Sequence, residues 1–413
     1  MRKTGVDWQG PAPCVPTPVG TPGARGFPER VGGSGSKCVA WQPGAGGGGP
    51  IPTSLTIHDP RDAGPLASNA VGRWFAARLR DPRDVYFVRR AAPVALVLWS
   101  GAAALFLLSP PWYFGLAYLA AMLFFLGPFT LMLHATCHRP LFKRQHRLLE
   151  AVIPWLIGPF LGHTPGSFFV HHMGMHHPEN NCQDDQSATI AYQRDSFLHF
   201  LHYWARFFFV GLAHVARYLS NRNRQAMRRQ ILVGEASFVL TVVALGFLNP
   251  TATLFVFVAP FLLLRWFMMC GNWSQHAFVD VSDPDNAFNN STNLINARYN
   301  QRCFNDGYHI VHHLAPSLHW TEMPGWFEAR LEEFGRNDAV VFDGLGNNQS
   351  VWWCLMRRRY GRLADHLVDL PGQPVRTREE KIAWLRSRTQ GRVGQLPAFF
   401  SFEPALERPV AAK

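Results

Sequence analysis

The sequence predicts an all-α, multi-pass membrane protein, with four transmembrane helices in two hairpins beneath a cytosolic helical cap. Three observations carry that expectation. Two pairs of long apolar runs stand well apart in the chain, each pair is joined by an uncharged turn, and basic residues collect at the other connections. Hydrophobic side chains make up 47% of the 413 residues and charged ones only 16%. The near-neutral mean hydropathy reflects polar ends that dilute the apolar runs.

A hydrocarbon core of about 30 Å takes about 20 apolar helical residues to cross. Residues Ala91 to Leu108 and Trp112 to Leu133 meet that length, with only Ser109, Pro110 and Pro111 between them. Residues Ile231 to Leu248 and Thr251 to Cys270 form the second pair around Asn249 and Pro250. Arg73, Arg78, Arg80, Arg83, Arg89 and Arg90 precede the first run, and Lys143, Arg144 and Arg147 follow the second. Positive loops stay cytosolic, so both turns face outward and both termini, with everything between the hairpins, face the cytosol. Glu235 and Arg265 fall inside runs but near the inferred cytosolic ends, where they are expected to snorkel to water.

Between the hairpins, the apolar segment Ala151 to Gly162 is too short to span and is expected to be buried or interfacial. Phe197 to Val215 mixes aromatics with His199, His202, Arg206 and His214 and reads as an interfacial helix. Residues 1–65 are rich in Gly and Pro with no apolar period, and a disordered extension is expected there, without a secretory or organelle signal. A membrane domain over 66–330 and a cytosolic C-terminal region over 331–413 complete the division. In the latter, Trp352, Trp353 and the basic run Arg357 to Arg359 suit helices under the membrane, or docking of an acidic partner or acidic head groups.

The formal net charge of +12 is concentrated beside the apolar runs, and no nucleic-acid signature accompanies it, so membrane topology explains it and nucleic acid is excluded as a partner. Seven scattered cysteines include no CxxC pair and fit a reducing compartment.

Histidine is the unusual residue. His134 and His138 follow the second run at helical spacing; alone, such a pair is unremarkable. His171, His172, His176 and His177 fall within seven residues, with 172 and 176 expected on one helical face. Asn272 and His276 end the fourth run four residues apart, and His309, His312 and His313 stand at i, i+3 and i+4. All four clusters sit at inferred cytosolic ends, which independent core or surface histidines would not do together. One shared site follows. Its nine candidate ligands are His134, His138, His172, His176, His177, His276, His309, His312 and His313, with His171 beside them rather than on the metal. Nine imidazoles exceed the four ligands of a zinc site but suit two metals. Imidazole serves several metals alike, so spacing leaves the element open. A phosphate-processing centre would bring bridging carboxylates, and only Glu179, Asp184 and Asp185 lie near a cluster. Oxygen chemistry on a lipid fits the location better.

These residues resemble the membrane fatty acid desaturase superfamily over roughly Arg73 to Glu328. His134 and His138 match its HxxxH box, His172, His176 and His177 its second box, and His309, His312 and His313 its HxxHH box. His276 and Asn272 are similar to its additional histidine and water-holding asparagine. The resemblance implies two iron ions, O2, a fatty acyl substrate in the lipid bilayer, and electrons from a separate donor such as cytochrome b5, ferredoxin or a rubredoxin-like protein. No HPGG-type haem motif is present, so a fused cytochrome b5 domain is not expected. Trp273, Phe278 and Trp320 are candidates to line the acyl path or to anchor at the interface. The Asn272 to His276 stretch and the run from His312 to Pro316 are also similar to alkane hydroxylases of the same superfamily. A hydroxylase or ketolase is therefore the alternative product assignment, and a non-enzymatic metal-binding membrane protein the alternative class.

Overall fold

The computed structural model describes residues 55–64, 69–182, 184–391 and 396–400. The chain is mostly helical, and four of its helices are long and apolar enough to cross a membrane: Pro82–Leu107, Tyr113–His138, Gln225–Leu248 and Pro250–Gln275. The four apolar runs thus lie in four helices, each extending past the apolar stretch. We label the helices used below in chain order: α1 (Val85–Leu107), α2 (Tyr113–His138), α3 (Phe197–Asn221), α4 (Gln225–Leu248), α5 (Ala259–Gln275), α6 (His309–Leu314), α7 (Asn348–Met356) and α8 (Arg378–Arg388).

Both hairpin turns lie side by side. Asn249 caps the start of the fourth span by accepting from Ala252 N, and its amide reaches Leu105 O at 3.4 Å and Ser109 Oγ at 3.3 Å. The apolar faces of both hairpins meet in one core, built from Leu98, Met122, Phe129, Leu161 and Val256. α2 ends where Arg139 turns to extended backbone ahead of Pro140, which cannot continue a helix. His138 therefore occupies its last turn and His134 the turn before, on the same face.

α3 spans more residues than the predicted interfacial segment and is clearly two-faced. Phe200, Tyr203 and Phe207 are buried, while Leu198 and Phe209 stay exposed. The predicted short apolar segment Ala151 to Gly162 lies in a run of successive tight and wide helical turns over residues 144–161, between the hairpins.

Glu235 and Arg265 do not snorkel apart. Arg265 Nη2 lies 3.3 Å from Glu235 Oε1, and that oxygen also accepts from Thr164 Oγ1 at 2.6 Å and Ser167 Oγ at 2.8 Å. A buried carboxylate is costly unless paired and hydrogen-bonded, and here the pair binds α4 and α5 to the turn that leads into the second histidine cluster. The same turn is why residue 234 is glycine: a Cβ there would stand 1.8 Å from Pro165 O. Gly234→Ala is expected to cost about 1–3 kcal/mol by overpacking, read as a lower melting midpoint in detergent together with reduced metal retention.

Two corrections concern the ends. Disorder was expected through residue 65, but residues 55–64 lie against the domain; residues 1–54 fall outside the described residues. Asp59 is buried and accepts from Asn296 N at 2.6 Å, Tyr308 Oη at 2.7 Å and Asn300 Nδ2 at 3.0 Å, fastening the loop that precedes α6. Nor does a boundary at residue 330 divide the packing. Strand β1 (Thr292–Ile295) pairs in parallel with β2 (Val340–Asp343), in register from Thr292 opposite Val340 to Ile295 opposite Asp343. α7 and α8 then bury Trp352, Leu355 and Leu385 with Phe200 and Trp273.

Candidate metal centre

Four chain segments deliver the histidines to one end of the bundle. α2 brings His134 and His138, the stretch His172–His177 follows a short helix at Ser167–His171, His276 directly follows α5, and α6 carries His309, His312 and His313. Ligand atoms of His134, His172, His177 and His312 lie within 4.8 Å of one another, and so do those of His176, His276, His309 and His313. His138 joins the first group, its Nε2 standing 2.9 Å from Nε2 of His172. All nine predicted ligands are therefore brought together, as five and four.

The local backbone decides the division. His172–His176 is a π-helical turn in which His177 N donates to His172 O. The wider turn aligns residues 172 and 177, whereas the expected α-helix would align 172 and 176. His176 is thereby sent to the other group. Such single π turns recur at functional sites. On α6 the regular spacing does the reverse job, holding His309 and His313 in one group and turning His312 to the other.

Nε2 atoms face each other without a proton-sharing logic. Those of His177 and His312 are 2.9 Å apart, of His309 and His313 3.1 Å, and of His276 and His309 3.3 Å. Nδ1 is already committed in three cases. His134 Nδ1 donates to Asp306 Oδ1 at 2.7 Å, His176 Nδ1 to Asp185 Oδ2 at 2.7 Å, and His276 Nδ1 to Asn290 O at 2.7 Å. Each fixes the tautomer and leaves a lone pair on Nε2 aimed at the cluster. Lone pairs converging at about 3 Å match neighbouring ligands on a metal with bonds of about 2.0–2.1 Å. Burial, reinforced by adjacent imidazoles, holds His172, His177, His309, His312 and His313 well below the ordinary histidine value, and His276 at about 3. The neutral ring is the form that ligates. The donor set thus fits two first-row metal ions.

The two groups adjoin, since His134, Asp306 and His309 also come within ligand distance of one another. His171 belongs to neither group. Its buried Nε2 has no hydrogen-bond partner among the described residues, and its ring packs on Phe207. Asn272 points its amide nitrogen at Ser187 O, 2.9 Å, and Tyr203 Oη, 2.8 Å, which leaves its carbonyl oxygen toward the cavity it lines.

Sequence reasoning missed Asp306 and Asn290 and gave Asp185 no role. Asp185 is fully buried; burial alone would raise its carboxyl, but His176 and hydrogen bonds from Ser187 hold it well below the carboxylate range. Asp185→Asn is expected to lower activity or metal affinity about 10–100-fold. The check is metal retention during dialysis against a chelator, beside an unchanged melting midpoint of the metal-free protein.

A cavity of about 880 Å³ leads from the histidines between α2 and α5, past Leu126, Leu131, Leu264 and Met268. Trp273, Phe278 and Trp320 do not line it. Trp273 is buried in the core shared by α3, α5 and α7, donating to Arg194 O at 3.0 Å; Phe278 packs on Phe342, and Trp320 on Phe304.

A family model described as fatty acid desaturase matches residues 109–344, more than half of the chain. No curated protein and no solved structure matches significantly.

Proposed function

The chain belongs to the fatty acid desaturase family, and we propose that it is an O2-dependent membrane desaturase with two iron ions that inserts a double bond into a fatty acyl chain. The observation that supports this most is the junction of an apolar cavity with two adjoining groups of imidazoles. His134, His138, His172, His177 and His312 would hold one ion; His176, His276, His309 and His313 the other, with Asn272 placed to hold a water beside it. Bound there, iron would supply the oxidising power to take one hydrogen from each of two adjacent methylenes, those two hydrogens together with O2, two electrons and two protons giving two waters.

The remaining work belongs to the protein. Asp185, Asp306 and Asn290 orient the imidazoles of His176, His134 and His276, and the walls of the cavity hold the chain beside them and exclude water. Among the described residues no electron-carrying cofactor site is needed, because a separate cytochrome b5, ferredoxin or rubredoxin-like donor delivers the electrons. The histidine end faces the cytosol in this reading, since the uncharged turns mark the opposite end.

Hydroxylation shares the first hydrogen abstraction and is favoured by the Asn272 to His276 stretch. Lipid profiling of a host with simple lipids separates the two. Expression should yield new unsaturated acyl chains two mass units lighter; hydroxylated lipids or alcohols alone would contradict desaturation.

A further inference from the structure

Asp306 and His309 ride on one loop, and that loop is held from outside the histidine bundle. Asp306 Oδ1 orients His134, and its Oδ2 accepts from Gln275 Nε2 at 3.1 Å. Three of its neighbours are anchored in turn. Asn305 Nδ2 donates to Pro60 O at 2.7 Å and to Trp320 O at 2.8 Å. Gly307 N donates to Asn300 Oδ1 at 3.0 Å, and Asn300 gives its Nδ2 to Asp59 Oδ1 at 3.0 Å. Tyr308, next to His309, donates its hydroxyl to Asp59 Oδ2 at 2.7 Å. All three anchors run to Asp59 or Pro60, in the segment 55–64 that lies across the loop as a strap.

The strap has attachments besides this carboxylate. Leu55 and Ile57 pack on the core that holds Ile310 and Val311 of α6. Asn296 accepts from His58 N at 2.7 Å and donates to Thr56 O at 2.9 Å. Attachment alone therefore does not call for a carboxylate that is only 5% exposed, which is costly to bury unless hydrogen bonds compensate it. What a carboxylate adds is direction: it only accepts, so the Tyr308 hydroxyl and the Asn300 amide must both point at it. We propose that Asp59 is a positioning residue of the metal centre. Through Asn300 and Tyr308 it holds Asp306 and His309 where they meet the other imidazoles, so that strap and metals stabilise each other. This rests on the histidine groups holding metal, as in the function proposed above.

The test uses full-length protein in nanodiscs, stripped of metal and titrated with Co2+ against a competing chelator, with bound cobalt read from its visible absorption. Asp59→Asn should weaken cobalt binding about tenfold, the low end for groups that orient a ligand. Either orientation of the new amide sets its NH2 against the backbone N–H of Asn296 or the amide of Asn300. Tyr308→Phe removes one hydroxyl and keeps the packing, and should weaken binding in the same direction. Arg61→Ala loosens the strap only at its exposed pair with Glu328, and should leave the affinity within about twofold. Hydrogen exchange gives a readout that a merely structural role would not move. Because coupling between sites is reciprocal, cobalt should slow exchange across residues 55–64 of the wild type. Cobalt affinity unchanged in both Asp59→Asn and Tyr308→Phe, or strap exchange indifferent to cobalt, would overturn the proposal. So would an Arg61→Ala loss as large as that of Asp59→Asn. Wild type that binds no cobalt at all would instead fell the metal reading itself, and this inference with it.

Discussion

Replacing His312 with alanine should lower product formation by more than about a hundredfold, since even the outer partners of metal ligands are worth about 10–100-fold. His312 faces His177 at 2.9 Å and stands next to His313, which serves the other group. Its loss would open one of the two histidine groups while the helix that carries it remains pinned by Ile310 and Val311 in the core. The contrast is His171→Ala. That ring lies outside both groups, so its removal should cost about tenfold at most, below the range for groups that orient a ligand. Lipid profiles of cells expressing comparable amounts of each variant decide the matter. Equal profiles for both would remove the ligand assignment.

Arg194→Ala should be the most damaging change far from the metals. Arg194 is fully buried, with no carboxylate on its guanidinium among the described residues, and it donates to six backbone carbonyls. Nε reaches Ala277 O at 2.8 Å just beyond His276, and Nη1 gathers the carbonyls of Thr189, Ile190 and Tyr192. Nη2 closes on Arg388 O at 2.9 Å and Gln390 O at 2.7 Å at the end of α8. One side chain therefore joins the loop after Asp185, the end of the fourth span and the C-terminal helix. Burial, helped by Arg388, lowers its value to about 9, which still leaves it charged at neutral pH. Removing it strands six buried acceptors, a loss on the order of 3–5 kcal/mol. Arg194→Lys should recover little, because an ammonium offers three donors and no planar fork. A melting midpoint unchanged in either variant would contradict this role.

What the sequence revealed and what it hid follow from the range of the physics. The four long apolar helices and the gathering of the nine histidines were legible because hydropathy and ligand spacing are local properties of the chain. Which of the two groups each histidine joins was not, because His172, His176 and His177 are sorted by a π turn whose signal is a single displaced hydrogen bond. Asp306 and Asn290 were invisible as orienting groups, being paired with His134 and His276 only through the tertiary fold. The segment around Asp59 carries the composition of a disordered tail, yet one buried carboxylate with three donors holds it to residues more than two hundred positions away. Glu235 and Arg265 looked like snorkelling residues because hydropathy cannot show that two spans present them to each other.

The central claim is the pair of metal ions, and elemental analysis of protein purified from iron-supplemented cells tests it most directly. The account predicts about two irons per chain in the wild type and a lower content in both His312→Ala and His276→Ala, one variant for each group. A fully active protein that carries one metal ion or none would contradict it.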